Sequence, residues 1–162
     1  MRFSPLLLAF GLAASTMSGV VSGQKPDDQI APRSVELTAA GNALLAAGKY
    51  QAAEDQLETA LAVDPKNRAA FVALARVSVK ERLYGNAIRL TNKALEIDPT
   101  DRDALGVQGE AMVAMGALPR ARETLAKLQK LCVSGCPQVA SLNAAIARGP
   151  AAMPAPATSK KD

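Results

Sequence analysis

The chain repeats itself at an interval of 34 residues. Residues 48–65 return as residues 82–99, and each stretch has a tyrosine near its start, an Ala-Leu pair before its end and a closing Asp-Pro. A unit of this length is one supersecondary element that cannot bury its apolar face alone, so successive units must stack to form a common core. The repeat therefore predicts an array of stacked units, and it favours a binding surface over a catalytic cleft.

Within each unit, the apolar and small residues follow the spacing of two helices joined by a turn. Gly48 ends the first helix of the first unit. Asn67 and Asp101, both favourable N-cap residues, follow the two Asp-Pro pairs. The pattern predicts an all-α chain. Its three helix-turn-helix units occupy residues 34–67, 68–101 and 102–135.

This pattern resembles the tetratricopeptide repeat, whose units carry a small residue in the first helix, a Gly-x-Tyr turn, spaced alanines and a closing proline. The small residues are Gly41, Ala75 and Gly109 in the first helices, and Ala53, Ala87 and Ala121 in the second helices. Small side chains there permit the two helices of a unit to approach closely. The resemblance implies a right-handed superhelical array of three tetratricopeptide units that acts as a non-enzymatic protein-protein interaction module.

The second unit departs from this pattern at its turn, where Arg82 stands in place of the glycine. A left-handed backbone at that position costs a non-glycine residue roughly 1 kcal/mol. We therefore expect this turn to be less favourable than the turn at Gly48.

The segment 137–148, which follows the third unit, has the pattern of an amphipathic helix. Its apolar face consists of Val139, Leu142, Ala145 and Ile146, and its polar residues are Gln138, Ser141 and Asn143. A helix of this kind covers the last exposed unit of an array. We expect a C-terminal capping helix at 137–148. The Ala- and Pro-rich tail at 149–162 cannot build a core, and we expect it to be disordered.

The N-terminus has the three-part pattern of a secretory signal peptide. Arg2 gives a positive start, residues 5–14 are an apolar run, and small residues lead to Gly23. The apolar run is shorter than the roughly 20 residues that a membrane-spanning helix needs. We expect a signal peptide at 1–23, a flexible lead-in at 24–33, and a soluble periplasmic or secreted bacterial protein without stable membrane insertion. An uncleaved anchor is the weaker alternative.

The two cysteines, Cys132 and Cys136, lie where the third unit lacks the Asp-Pro closure. In an exported chain, an even number of cysteines is usually oxidised. Their Cys-x-x-x-Cys spacing differs from the Cys-x-x-Cys of thioredoxin-like centres, and no second pair completes a four-thiolate zinc site. We expect a structural disulfide that holds the capping helix.

The composition excludes several classes of function. The sequence has no histidine, which removes His-based acid/base catalysis, Ser-His and Cys-His nucleophile pairs and His-ligated metals. The net charge of +4 is spread along the chain without a basic stripe, and aromatic residues make up only 3% of the sequence. A nucleic-acid-binding surface needs both features. We expect no enzymatic activity, no cofactor, no metal and no nucleic-acid partner.

Tetratricopeptide arrays build their inner, concave face from the first helix of each unit. Helical spacing places the following residues on that face: Thr38, Asn42 and Leu45 from the first unit, Val72, Arg76, Val79 and Lys80 from the second, and Asp103, Gly106, Glu110 and Val113 from the third. We predict that this face binds a peptide or protein segment. The charged and amide side chains would fix the partner, while Leu45, Val72 and Val79 would supply apolar contact.

Some members of the family clamp the carboxylate tail of chaperones with two Asn and several Lys or Arg on these helices. Asn42 fits one Asn position, but the other positions hold Thr38, Ala73, Asp103 and Val107. The sequence therefore predicts that this clamp is absent. Arg76 and Lys80 lie one turn apart. They are candidates either for contact with an anion or for neutralisation by Glu110.

Two alternatives to the adaptor stay open. The first is a thiol or redox accessory protein that uses Cys132 and Cys136, and the second is a structural module that only self-associates. Free-thiol titration separates the first from the adaptor, because a structural disulfide stays oxidised while a redox pair cycles.

Overall fold

The structure is a computed structural model that describes residues 29–133 and 135–150. The predicted signal peptide at 1–23 and the first part of the lead-in lie outside the described residues. Of the predicted tail, only Gly149 and Pro150 are described, and Gly149 ends the last helix with a φ of 74°.

The described residues form seven α-helices and no β-strand, which confirms the all-α prediction. The helices are α1 (Pro32–Ala46), α2 (Tyr50–Val63), α3 (Arg68–Lys80), α4 (Tyr84–Ile97), α5 (Arg102–Ala114), α6 (Leu118–Leu131) and α7 (Pro137–Arg148). Helices α1, α3 and α5 each pack on the helix that follows, and α7 packs on α5 and α6. The described residues contain no helix with the length and apolar character needed to cross a bilayer.

The first helix begins two residues earlier than the sequence predicted. Pro32 and Arg33, assigned to the lead-in, belong to α1. Proline is favourable at the first helical position because its missing N–H has no partner there in any case. The backbone N–H of Ala31 donates to Asp64 Oδ2 at 2.7 Å, which ties the start of α1 to the end of α2.

The turns and caps follow the predicted repeat. Gly48 and Gly116 have positive φ angles of 73° and 79°, and Arg82 adopts the same left-handed region at 63°. Asn67 caps α3 by accepting a hydrogen bond from the N–H of Ala70, and Asp101 caps α5 in the same way. The replacement of glycine by Arg82 therefore leaves the turn conformation unchanged.

Close helix packing explains the small residues of the repeat. A Cβ at Gly41 would lie 2.5 Å from Leu57 Cγ, so α1 and α2 can approach only because Gly41 has no side chain. At Gly109 the three atoms nearest to such a Cβ all belong to Leu142 of α7, at 2.5 to 3.2 Å. The glycine of the third unit thus accommodates the capping helix, a partner that the repeat pattern did not predict.

The capping helix covers the third unit as expected. Leu142 is completely buried and Ala145 is buried beside it, while Val139 and Ile146 pack at the edge of the same cluster. This apolar contact continues the core of the array to its C-terminal end.

Candidate functional site

The first helices of the three units and the capping helix line one open groove. Its lining consists of Leu45 from α1, Arg76, Val79 and Lys80 from α3, Asp103, Gly106, Val107 and Glu110 from α5, and Pro137, Gln138 and Ser141 from α7 and its start. We call this set the inner groove. Its cavity has a volume of about 390 Å³.

Seven of the eleven residues that helical spacing places on the inner face line the inner groove. They are Leu45, Arg76, Val79, Lys80, Asp103, Gly106 and Glu110. Three helices that are distant in sequence, α1, α3 and α5, therefore bring these side chains around one space. No measurement tests binding by them, so their contact with a partner stays a prediction.

Val72 and Thr38 are buried, so the prediction that they bind a partner on the inner face is wrong. Val72 is only 3% exposed and packs in a core cluster to which all three units contribute, so it is not available for apolar contact with a partner. Thr38 is buried as well: its hydroxyl donates to the carbonyl of Ser34 and accepts from Asn67 Nδ2 at 2.9 Å. Both side chains stabilise the stacking of units.

Asn42 is exposed but lies in a different cavity, of about 500 Å³. This second cavity is lined by Ile30, Val35, Thr38, Ala39, Asn42, Lys66, Asn67, Arg68, Ala69 and Ile97. Asn42 therefore lies apart from the charged residues of the inner groove.

The polar side chains of the inner groove pair mainly with one another. Arg76 forms an ion pair with Asp103 at 2.9 Å, and Gln138 Nε2 donates to the same carboxylate oxygen at 2.9 Å. The hydroxyl of Ser141 donates to Glu110 at 2.6 Å. Arg76 thus pairs with Asp103 and not with Glu110. Contact of Arg76 and Lys80 with an anion stays a prediction.

Lys80 differs from the other charged groups of the inner groove. It is the last residue of α3, it is exposed, and it has no ion-pair partner within residues 29–133 and 135–150. Its ammonium group can therefore meet a carboxylate or carbonyl oxygen of a partner without first breaking an internal pair.

Gln138 and Ser141 are groove residues that the sequence analysis missed. They were assigned to the polar back of the capping helix, yet they complete one side of the groove. An alignment by caps would have found them, because Asp101 and Cys136 are the N-caps of α5 and α7. With these caps aligned, Gln138 matches Asp103 and Ser141 matches Gly106.

Two carboxyl groups with shifted pKa values lie outside the inner groove. Burial raises the pKa of Glu54, and the negative charges of Glu81, Glu58 and Asp55 raise it further. Hydrogen bonds from the side chain and backbone of Thr100 lower the pKa of Asp98. Within the described ranges, no group of three or more Asp, Glu or Cys side chains is placed to hold a metal.

The cysteines lie at the boundary between the third unit and α7. Their sulfur atoms are at bonding distance and their Cα atoms are 5.7 Å apart, as the predicted disulfide requires. Cys132 is buried and Cys136 is partly exposed. The pair thus spans the connection that carries α7.

Comparison with known sequences identifies the repeat. Residues 38–102 match the tetratricopeptide repeat model. Among the curated proteins, none matches the chain.

Solved structures share the fold. The Sgt2 TPR domain from Aspergillus fumigatus is 24% identical over 73% of this chain and 79% of its own length, with a TM-score of 0.67. The second TPR domain of human RPAP3, in complex with the HSP70 peptide SGPTIEEVD, is 22% identical over 71% and 95%, with a TM-score of 0.63. The TPR2B domain of yeast Sti1, in a complex with pHsp70, is 18% identical over 73% and 98%, with a TM-score of 0.66.

Proposed function

Because this chain belongs to the tetratricopeptide repeat family, we propose that it is a non-enzymatic adaptor that binds a peptide or protein segment in the inner groove. Tetratricopeptide domains of human RPAP3 and yeast Sti1 bind peptides or chaperones, which supports a polypeptide partner here. We infer the chemistry of this chain's partner from the residues of its own groove.

The mixed apolar and charged lining of the inner groove supports this proposal. Four helices from successive parts of the chain place apolar and charged side chains around one open groove, and the core of the array is complete without those charges. Leu45 and Val79 offer apolar surface beside the charged groups, which is the composition that an extended peptide needs for both affinity and orientation. The sequence has no histidine with which a groove of this kind could support acid/base catalysis.

The charges of the inner groove suggest how a partner is oriented. Arg76 is held by Asp103, which fixes the guanidinium and leaves its remaining N–H groups as preorganised donors. Lys80 has no such partner among the described residues and contributes an uncompensated positive charge. We infer that Lys80 attracts a carboxylate or carbonyl oxygen and that Arg76 fixes the register of the bound segment.

The partner differs in chemistry from the peptide SGPTIEEVD bound by the human RPAP3 domain. The carboxylate clamp is incomplete in this chain, because Thr38 is buried in a hydrogen-bond network. Asp103 already pairs with the guanidinium of Arg76, so this cation is not free to neutralise a terminal carboxylate. We therefore propose recognition of an internal segment in preference to a C-terminal carboxylate.

We also propose that the chain is exported to the bacterial periplasm. The support is the signal-peptide pattern at 1–23 together with a cysteine pair at bonding distance, which suits an oxidising compartment. N-terminal sequencing of the protein from its native envelope should find a start near Gln24. A chain that keeps Met1 and fractionates with the membrane would contradict export with cleavage.

Photocrosslinking in intact cells tests the groove directly. A crosslinking residue at Leu45, inside the groove, should capture a partner, whereas the same residue at Glu58, on the exposed surface of α2, should not. Lys80→Ala should abolish the capture at Leu45. Lys93→Ala is the matched control, because it removes the same charge from an exposed site on α4.

The same variants must keep their stability for the test to be valid. Exposed substitutions away from caps and core usually change the free energy of unfolding by less than about 0.5 kcal/mol. Thermal melting should therefore give similar curves for Lys80→Ala and Lys93→Ala. Capture that survives Lys80→Ala but is lost after charge reversal of Glu54, Asp55 and Glu58 would place the binding surface on α2, outside the inner groove.

A further inference from the structure

The two cysteines occupy positions that other residues hold at the earlier boundaries between units. We define the first, second and third junctions as residues 64–67, 98–101 and 132–136. The C-caps of α2, α4 and α6 are Asp64, Asp98 and Cys132, and the N-caps of α3, α5 and α7 are Asn67, Asp101 and Cys136. The cysteine pair is thus the counterpart of two capping residues.

The start of α7 lacks the hydrogen bond that starts α3 and α5. Asn67 accepts from the N–H of Ala70 at 3.2 Å, and Asp101 accepts from the N–H of Ala104 at 2.8 Å. Cys136 makes no side-chain capping bond. The first turn of α7 is therefore stabilised less by its own cap than the corresponding turns of the array.

The third junction also lacks the polar link across units. At the second junction, Arg68 at the start of α3 forms ion pairs with Asp98 and Asp101. Arg102 holds the same place at the start of α5. At the third junction, however, Cys132 and Cys136 stand where the second junction has Asp98 and Asp101, and Arg102 has no ion pair within the described ranges. The connection between the sulfur atoms takes the place of this link.

The position of α7 determines the shape of the inner groove. Gln138 donates to Asp103 and Ser141 donates to Glu110, so both carboxylates of the groove are oriented by side chains of α7. Within the described residues, α7 packs only on α5 and α6. Any release of α7 would remove one side of the groove and free both carboxylates.

We propose that the Cys132–Cys136 disulfide controls the groove, which rests on the proposed function of that groove. When the disulfide is formed, α7 stays docked and the groove is complete. When it is reduced, the connection between α6 and α7 is no longer closed by the sulfur bond, so α7 leaves the third unit more often and the groove opens on that side. The redox state of the pair therefore sets the affinity for the bound segment.

The chemistry of the step requires a dithiol reductant. One thiolate of the reductant attacks the sulfur of Cys136, which is the more exposed of the two, and the bond between the protein sulfurs breaks. Cys132 leaves as a thiolate and takes up a proton. The second thiol of the reductant then displaces Cys136 from the mixed disulfide. Two electrons pass to the protein, both cysteines end as thiols, and the reductant ends as a disulfide.

The size of the effect follows from the fraction of molecules in which α7 is docked. Apparent affinity falls in proportion to the population of the binding-competent state. If reduction leaves α7 docked in one molecule of ten, the affinity of the groove falls about tenfold.

Hydrogen exchange on the full chain tests the release of α7 without any partner. After addition of a dithiol, amides of residues 137–148 should exchange faster, while those of α1 and α2 keep their rates. The variant Cys132→Ser/Cys136→Ser should exchange rapidly in α7 with or without the dithiol, and protection of α1 to α4 shows that it is folded. Unchanged protection of α7 on reduction would overturn the proposal.

A second measurement tests the effect on binding. The probe is a peptide selected from a short random library on the oxidised protein, and its binding site is checked with Lys80→Ala. With α7 docked in one reduced molecule of ten, the affinity of the wild type for this peptide should fall about tenfold on reduction. The affinity of the double-serine variant for the same peptide should not change when the dithiol is added.

The outcomes separate the two proposals. Faster exchange of α7 without a loss of probe affinity overturns redox control, while groove binding stands. If every selected probe ignores Lys80→Ala, the proposed function is wrong and control of that function falls with it. Faster exchange together with weaker binding supports both.

Discussion

The first and third junctions connect a helix pair to the next helix, but they use different chemistry. At the first, Asn67 donates to the hydroxyls of Ser34 and Thr38 at 2.7 and 2.9 Å, and all three side chains are buried. At the third, two cysteines lie at bonding distance. The first junction has neighbouring helices on both sides, whereas α7 has helices on one side only within the described residues.

The difference shows how the end of an array is stabilised. In a linear array each unit gains stability from its neighbours, so a terminal helix opens more easily than an internal one. Neutral hydrogen bonds suffice where packing on both sides already excludes water. At the end, the two sulfur atoms lie at bonding distance. On the redox proposal above, the bond between them stabilises the docked helix without a further unit and makes that helix sensitive to reduction.

The largest effect should follow from breaking the first junction with Asn67→Ala. The change removes the cap of α3 and leaves the buried hydroxyls of Ser34 and Thr38 without their donor. We expect a loss of about 2 to 4 kcal/mol in the free energy of unfolding. Urea denaturation measures it, and Asn42→Ala is the control because Asn42 is exposed.

Asn67→Asp separates the two contributions. It keeps an oxygen that can cap α3 but removes the amide donor to Ser34 and Thr38. A variant as stable as the wild type would show that the buried amide hydrogen bonds contribute nothing to the junction.

The third junction should give a smaller and more local effect. Cys132→Ser/Cys136→Ser should lower stability by about 1 to 2 kcal/mol, because the closed loop is short and the chain-entropy gain is modest. Hydrogen exchange should show the change from Pro137 onward, with the first unit nearly unaltered. Equal loosening throughout the chain would mean that the junctions are not independent.

The second junction should respond to salt, unlike the first. Arg68 is about two-fifths exposed, so its pairs with Asp98 and Asp101 are screened by ions. Arg68→Met should cost about 1 kcal/mol at low salt and less at high salt. Denaturation at two salt concentrations checks this, and Asn67→Ala should show the same cost at both.

The smallest effect should be a change in the pKa of Asp98 at the second junction. The pKa of Asp98 is lowered mainly by Thr100, so ionised Asp98 contributes stability above its ordinary pKa that is lost as the pH falls through the lowered value. Thr100→Val should raise the pKa of Asp98 towards the ordinary range. A carboxyl carbon NMR titration measures it, and an unchanged pKa would show that the Thr100 hydroxyl does not hold the charge.

The fold could be predicted from the sequence because its signals are local. The 34-residue period, the caps at Asn67 and Asp101 and the left-handed turns each depend on a few neighbouring residues, and the structure contains all of them. Even Arg82 fits, since its turn is held by the helices on both sides.

The groove could be predicted only in part because its lining depends on how units stack. Helical spacing places Thr38 and Val72 on the inner face, but it does not show that neighbouring units bury them. Gln138 and Ser141 were missed for a related reason. The third junction is one residue longer than the others, so a strict 34-residue alignment does not match α7 with α5.

The capping helix also limits how many residues of a partner the inner face can contact. Within the residues that the structure describes, the inner face consists of four helices, α1, α3, α5 and α7, each packed on the next. With roughly 9 Å between neighbouring axes, the face is about 27 Å long. An extended chain advances about 3.3 Å per residue, so roughly eight residues fill the groove. A longer partner would be recognised by a short stretch of its sequence, and its remaining length would stay free for other proteins.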